Sequence, residues 1–148
     1  QLTKLKSLLY LTGRINTVEK DPVFDLKLKA SPLQLEESDH ILQFAPSIAG
    51  TGFADGEVTG PLSSPQLSTN ITLKQVTYDK VEYPNSQGTL KINKDHLRFN
   101  GQFFGRQIQT DFQWPWQQNK DFFAKILVQD LNPLFLLPLI TIPQPNGE

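Results

Sequence analysis

Apolar and polar residues alternate with a period of two along much of this chain. Between residues 24 and 30, Leu26 and Leu28 fall on one side of an extended backbone, while Lys27 and Lys29 fall on the other. Successive side chains of a β-strand point to opposite faces, so this alternation predicts a strand with one apolar face. The same alternation predicts further strands over residues 9–17, 67–78, 89–93, 96–101, 108–114 and 122–129.

Three local features modify this rhythm. The apolar phase slips by one residue between Leu73 and Val76, which predicts a β-bulge. Two alternating runs flank Lys94-Asp95 and predict a hairpin there. The glycines between residues 50 and 56 predict a turn with positive-φ positions rather than a dinucleotide-binding loop, because their spacing does not fit that motif.

Two short segments have helical spacing instead. The first covers residues 38–45 and the second residues 130–137, and both open with residue types that cap helices. A proline follows or ends each segment, Pro46 in one case and Pro138 in the other, at an offset of 92 residues. This offset predicts an internal repeat, with about one unit and the start of the next in this chain.

Length and composition limit the domain count and the chemistry. The 148 residues fit one β-rich segment over residues 1–142, followed by a Pro-rich tail over 143–148. The chain carries 14 basic and 15 acidic residues without a basic cluster, which disfavours a nucleic-acid partner. It has no cysteine and two histidines, and no motif supplies a nucleophile with a base, a metal cluster or a phosphate loop. We therefore expect no enzymatic activity, no metal and no cofactor.

The chain begins at Gln1 and contains no methionine, which predicts a piece cut from a longer protein. Its most apolar stretch, residues 131–142, is interrupted by Pro133 and Pro138. It is also well short of the roughly 20 apolar residues that a membrane-spanning helix needs. No membrane span is therefore expected within this sequence.

The segment Gly56–Leu67 reads GEVTGPLSSPQL, and two further strands of matching pattern follow at residues 88–90 and 97–101. This order resembles the recurrent strand–Gly–loop–Pro–strand unit of the AsmA-like and TamB-like envelope proteins. The resemblance covers most of residues 12–137. It implies a mainly β fold: a twisted, taco-like, incomplete antiparallel β-cylinder or open β-sheet with two short helices, cut from a longer repeat protein.

The resemblance also implies a role in the cell envelope. Such proteins lie in the periplasm, often anchored in the inner membrane, and relatives serve the chloroplast envelope. They are implicated in carrying phospholipid between the inner and outer membranes and in outer-membrane protein assembly. The implied partners are phospholipid acyl chains, neighbouring repeats of the same chain and an outer-membrane assembly protein.

An apolar track for acyl chains would be built from the inward side chains of the strands. Ten residues are the candidates for lining this groove: Leu26, Leu28, Ile71, Leu73, Leu90, Ile92, Leu97, Phe99, Ile108 and Phe112. The same alternation also fits the core of a closed β-sandwich, which would make the protein an interaction or scaffold module without a groove. Alternation does not report whether a sheet closes, so both interpretations stand at this point.

Overall fold

The computed structural model describes residues 8–38 and 48–137, and these residues form one mainly β unit. Nine strands belong to a single sheet. Their bounds are β1 Leu8–Asn16, β2 Val23–Gln34, β3 Ile48–Pro61, β4 Gln66–Tyr78, β5 Val81–Tyr83, β6 Ser86–Ile92, β7 His96–Phe103, β8 Ile108–Pro115 and β9 Phe123–Val128. The alternating segments of the sequence are therefore confirmed as strands.

The sheet is an open antiparallel meander. Along the path β1-β2-β3-β4-β6-β7-β8-β9, every neighbouring pair is antiparallel, and β5 pairs with the end of β4 outside this path. Among the described residues, β1 and β9 are the two outer strands, and every residue of both strands is exposed. The open-sheet form of the expected fold is thus confirmed for residues 8–38 and 48–137.

Very little of this sheet is buried. Among the described residues, the only buried hydrophobic side chains are Ala30 and Tyr83, and the buried polar ones are Thr69 and Ser86. A sandwich would bury the inward residues of every strand between two sheets about 10 Å apart. The described residues form one sheet only, so its faces meet no second sheet within them.

The predicted bulge lies in β4, where the apolar phase slips. Ala49 pairs with Thr77 and Thr51 pairs with Lys74, so two residues of β4 oppose one residue of β3. Gln75 is one of the two, and it has a positive φ of 53°. The bulge places Leu73 and Val76 on one face despite their odd separation.

The predicted hairpin joins β6 and β7. The Asn93 backbone N–H donates to the carbonyl of His96 over 3.1 Å. The Asn93 side-chain oxygen accepts from the backbone N–H groups of Asp95 and His96, both over 2.9 Å. This side-chain turn satisfies the backbone where the chain reverses.

The glycine-rich turn expected at residues 50–56 was wrong, because these residues lie inside the long strand β3. Gly50 alone among those glycines has a positive φ, at 142°. Gly56 serves close strand packing instead: a Cβ there would lie 2.6 Å from the Thr69 Cα. Glycines interrupted the alternation in the sequence because they contribute no side chain to either face.

Helical structure is scarcer than expected. The predicted helix at residues 38–45 lies outside the described residues except for Ser38, which ends a 3-10 helix spanning Leu35–Ser38. Over residues 130–137 the structure has a 3-10 turn, Pro133–Phe135, and Leu137, the last described residue, is α-helical. Asn132 is the N-cap of the 3-10 turn and accepts from the Leu134 N–H over 3.1 Å. The two-helix arrangement is not confirmed, and the internal repeat based on it stays a prediction.

Helical structure does not begin at residue 130, because the chain before Pro133 is held in another conformation. The Gln129 backbone N–H donates to the Gln107 carbonyl over 2.8 Å. The Asn132 backbone N–H donates to the Gln107 side-chain oxygen over 3.1 Å. These bonds keep residues 129–132 beside β8, and helix formation begins only at Pro133. Across the described ranges, no helix combines the length and apolarity that crossing a membrane requires.

Candidate functional site

The ten predicted groove residues all lie on one face of the sheet, which we call the apolar face. Residues directly paired across antiparallel strands point to the same side. One line of paired residues crosses six strands through Leu26, Val58, Leu67, Ile92, Leu97 and Trp114. A second crosses eight strands through Leu11, Leu28, Gly56, Thr69, Leu90, Phe99, Phe112 and Ala124.

The other three candidates belong to the next lines along the strands. Ile71 pairs with Ala54 and Leu73 with Gly52 across β3 and β4. Ile108 pairs with Phe103 of β7. All ten side chains are half-buried and none is fully enclosed. The structure therefore brings the ten together on a single surface, spread from β2 to β8.

A line of mostly small residues runs across the middle of the apolar face. We call it the furrow, and it consists of Ala30, Ala54, Ile71, Gly88, Gly101 and Thr110. Larger side chains border it on both sides, including Leu28 and Leu90 on one side and Leu73 on the other. The furrow crosses the strands rather than running along a single strand.

The Phe99 ring fills the furrow where it passes β6 and β7. A Cβ added at Gly88 would lie 2.6 Å from the Phe99 Cζ, and one added at Gly101 would lie 2.7 Å from its Cε1. Only glycine leaves room for the ring at these two positions. Phe103 lies next to it, with ring centroids 6.0 Å apart.

A small apolar cleft opens beside this ring. Its volume is about 70 Å³, and it is bordered by Ile71, Leu73, Phe99 and Phe103. The cleft lies on the apolar face because those four side chains do. It is the enclosed part of a surface that is otherwise open.

At one end of the strands, three aromatic rings extend the apolar face. Phe112, Trp114 and Phe122 have centroids 5.1 to 6.4 Å apart. Trp114 and Phe122 are each 52% exposed, so their faces are available for contact. Trp116 contacts the β6–β7 turn instead. Its indole N–H donates to the Asn93 carbonyl over 2.8 Å and stabilises that turn.

At the opposite end, Tyr83, Phe104 and Phe135 form a compact group that we call the rim cluster. Their ring centroids lie 4.8 to 5.5 Å apart. The Tyr83 hydroxyl donates to the Phe135 carbonyl over 3.1 Å. Burial raises the pKa of the Tyr83 phenol above 10.0, and the neighbouring Tyr78 and Asp79 add to this effect.

The other face, which we call the polar face, carries charged and amide side chains. Lys27 pairs across the strands with Glu57, and Lys29 with Asp55. Arg98 forms an ion pair with Asp111 at 3.1 Å. Opposite charges therefore lie side by side at these positions, whereas Lys91 lies opposite Arg98.

Several apolar-face residues were missed from the sequence. They are Leu9, Leu11, Val58, Phe103, Trp114, Ile126 and Val128. Their alternation was visible in the segments 9–17 and 122–129, and carrying it through to the two edge strands would have found most of them. Many are more exposed than the ten predicted residues, because β1 and β9 have a neighbour on one side only.

No group of three or more His, Cys, Asp or Glu side chains in residues 8–38 and 48–137 is placed to hold a metal ion. His96 lies at the start of β7, and His40 lies outside the described residues. An extended apolar surface of this kind marks contact with lipid, ligand or another protein.

Comparison with protein-family models, with curated proteins and with solved structures gives no match for this chain.

Proposed function

We propose that this chain is a segment of an AsmA-like or TamB-like envelope protein, in which the apolar face carries phospholipid acyl chains between the inner and outer membranes. The observation that carries the proposal is the unbroken apolar face, which lies open across the sheet. The mechanism is passive. Acyl chains lie on the apolar face while the headgroups stay in water.

The energetics favour an acyl chain on such a surface. Each methylene group removed from water contributes about 0.8 kcal/mol. The line from Leu26 to Trp114 is apolar on all six strands, so a chain bound along it passes from one strand to the next without crossing a polar side chain. The furrow and the cleft beside Phe99 supply the places where such a chain would lie deepest.

The strand directions support neighbouring repeats as partners. The meander path from β1 to β9 contains eight antiparallel strands, so β9 runs opposite to β1. A following segment can therefore add its first strand to β9, with its apolar face on the same side. In the proposal, such additions extend and curve the sheet into a taco-like cylinder in the periplasm or the chloroplast envelope. The parent protein would be anchored in the inner membrane and would also support outer-membrane protein assembly.

A second candidate is an interaction module that binds a partner strand at an edge. The closed-sandwich form of this idea needs a second sheet, and residues 8–38 and 48–137 form one sheet only. The edge form is favoured by β9, whose six residues are all exposed and contain no proline. Unprotected edges of this kind accept added strands.

Photocrosslinking in cells tests the lipid proposal. A photoreactive amino acid at Leu73, Ile92 or Phe99, on the apolar face, is expected to give phospholipid adducts. The same group at Lys91 or Arg98, which lie beside these positions but on the polar face, is the matched control. Adducts from the controls alone, or protein adducts without lipid from all five positions, would refute the proposal.

A further inference from the structure

The polar face holds a second cavity whose chemistry differs from its surroundings. The cavity measures about 420 Å³ and lies where β4, β6 and β7 approach the 104–107 turn. Two cationic residues, Lys74 and Arg106, line it, and no Asp or Glu does. The remaining lining residues are Thr72, Asn85, Ser86, Gln87, Gln102 and Gly105. The Ser86 hydroxyl oxygen among them already accepts from the Phe104 backbone N–H over 3.2 Å.

Some cations of this face lie opposite an acid, and others, such as Lys91 opposite Arg98, do not. On β2, Lys27 and Lys29 each lie opposite an acid of β3. Lys74 instead lies opposite Thr51. The ion pair found within the described residues, Arg98 with Asp111, involves neither Lys74 nor Arg106. The positive charge at this corner is thus left without a protein counter-ion among residues 8–38 and 48–137.

Local contacts restrain the Lys74 side chain and the turn that carries Arg106. The Lys74 ammonium lies 5.4 Å from the centre of the Phe53 ring, a cation–π contact that restrains the side chain. Arg106 belongs to the tight turn between β7 and β8 and has a positive φ of 76°. That turn is fixed by the Gly105 N–H, which donates to the Asn85 carbonyl over 3.1 Å.

The cavity continues into a polar depression. A neighbouring space of about 290 Å³ shares Thr72, Gln87 and Gln102 with it and is lined further by amide and hydroxyl groups. The Gln87 amide nitrogen donates to the Gln102 side-chain oxygen over 3.4 Å. With that bond formed, the Gln102 amide nitrogen can still donate and the Gln87 side-chain oxygen can still accept.

We propose that this cavity binds the phosphate group of a polyol phosphate ester, with Lys74 and Arg106 as its counter-charges. Arg and Lys are the usual partners of phosphate oxygens, and amide and hydroxyl groups suit the hydroxyls of a polyol. The ester can come from a phospholipid headgroup or from a free metabolite. The inference is independent of the proposed function, because the cavity lies on the polar face and needs no acyl chain.

Titration of the 148-residue chain with glycerol 3-phosphate tests this site. NMR shifts are expected at Ser86, Gln87, Gly105 and Arg106, and glycerol alone should leave them unchanged. The double variant K74Q/R106Q should weaken binding at least about tenfold, because it removes two charge-assisted contacts. The control K91Q/K125Q, which removes the same charge from elsewhere on the polar face, should retain the affinity.

A parallel titration with short-chain phosphatidylglycerol, below its micelle concentration, identifies the source of the ester. Tighter binding than glycerol 3-phosphate, lost in K74Q/R106Q, assigns the site to a headgroup. Binding of glycerol 3-phosphate alone assigns it to a free metabolite. No shifts with either ligand, or equal weakening in K74Q/R106Q and K91Q/K125Q, would overturn the inference. Lipid crosslinks from Phe99 would survive that result and leave the proposed function intact.

Discussion

At the scale of single residues, Phe99 and two glycines set the depth of the apolar face. The Phe99 ring lies over Gly88, which is on the neighbouring strand β6, and over Gly101, which is two residues further along β7. Aromatic side chains on a sheet cover neighbouring glycines in this way and shield their backbone. The glycines are therefore part of the packing of Phe99 rather than points of flexibility.

Replacing Gly101 tests this arrangement. The Cβ of Gly101→Ala would meet the Phe99 Cε1 at 2.7 Å and the Phe103 Cε2 at 3.2 Å. We expect the free energy of unfolding to fall by about 1–3 kcal/mol in urea titrations, because the ring must leave its position. Gly52→Ala is the matched control, since its Cβ would have ordinary contacts of 3.5 Å or more.

A double-mutant cycle separates the ring from other causes. In a Phe99→Ala background, Gly101→Ala should cost at least about 1 kcal/mol less than in the wild type, because the main clash is gone. Equal costs for Gly101→Ala in both backgrounds, or equal costs for Gly101→Ala and Gly52→Ala, would contradict this account of Phe99.

At the scale of elements, the short strand β5 and the 3-10 turn Pro133–Phe135 close one end of the sheet. Tyr83 of β5 is 5% exposed, which makes it one of the most buried side chains among the described residues. Its hydroxyl links β5 to the chain after β9 through the Phe135 carbonyl. The rim cluster thus joins segments that are 52 residues apart.

The protonation of Tyr83 gives this element a pH dependence. Its pKa is raised in the folded state, so its contribution to stability is fully present below the unfolded value of 10.0 and is lost as the pH rises through the folded value. Tyr83→Phe should lower the free energy of unfolding by about 0.5–1.5 kcal/mol at pH 8, where the hydrogen bond is intact.

Above pH 10 the difference in free energy of unfolding between wild type and Tyr83→Phe should narrow. The wild type loses the contribution of the protonated phenol there, whereas the phenylalanine variant has no proton to lose. Urea titrations at pH 8 and above pH 10 measure this change. Tyr10→Phe, on the exposed strand β1, is the control, and its free energy of unfolding should match that of the wild type at both pH values. A constant difference for Tyr83→Phe across this range would refute a structural role for the protonated phenol.

The elements differ in how far their sequence predicts them. Strands β2, β4 and β6 to β8 were predictable because large apolar residues alternate with polar ones throughout them. The bulge in β4 was predictable because it shifts that phase by one residue. The strand β5 was not, since three residues cannot establish a period. The strand at residues 50–56 was not predictable, because its glycines have no side chain that would mark one face of the strand as apolar.

At the scale of the whole molecule, the sheet has two chemically different faces, and β1 and β9 are its outer strands among the described residues. The polar face carries charged and amide side chains, while the apolar face leaves large side chains such as Trp114 and Ile126 more than half exposed. A sheet needs its hydrophobic face covered to reach normal stability. We therefore expect the apolar face to function in contact with another apolar surface.

The composition of that face was predictable, and its openness was not. Period-two alternation assigned all ten candidate residues to one side, because pairing between antiparallel strands preserves the side. Nothing in the alternation of Leu90 or Phe99 reports whether a second sheet covers them. Closure depends on contacts between distant elements, which a local pattern does not encode.

The most direct test of the central claim is an NMR measurement of contacts between an acyl chain and the two faces. The chain would be labelled at Ile, Leu and Thr methyl groups and mixed with a short-chain phospholipid. The account predicts intermolecular NOEs from acyl protons to Leu73, Ile92 and Leu97, and none to Thr12 and Thr59, which lie on the polar face away from the cavity. NOEs to the threonine methyls alone, equal NOEs to both faces, or none at all would contradict it.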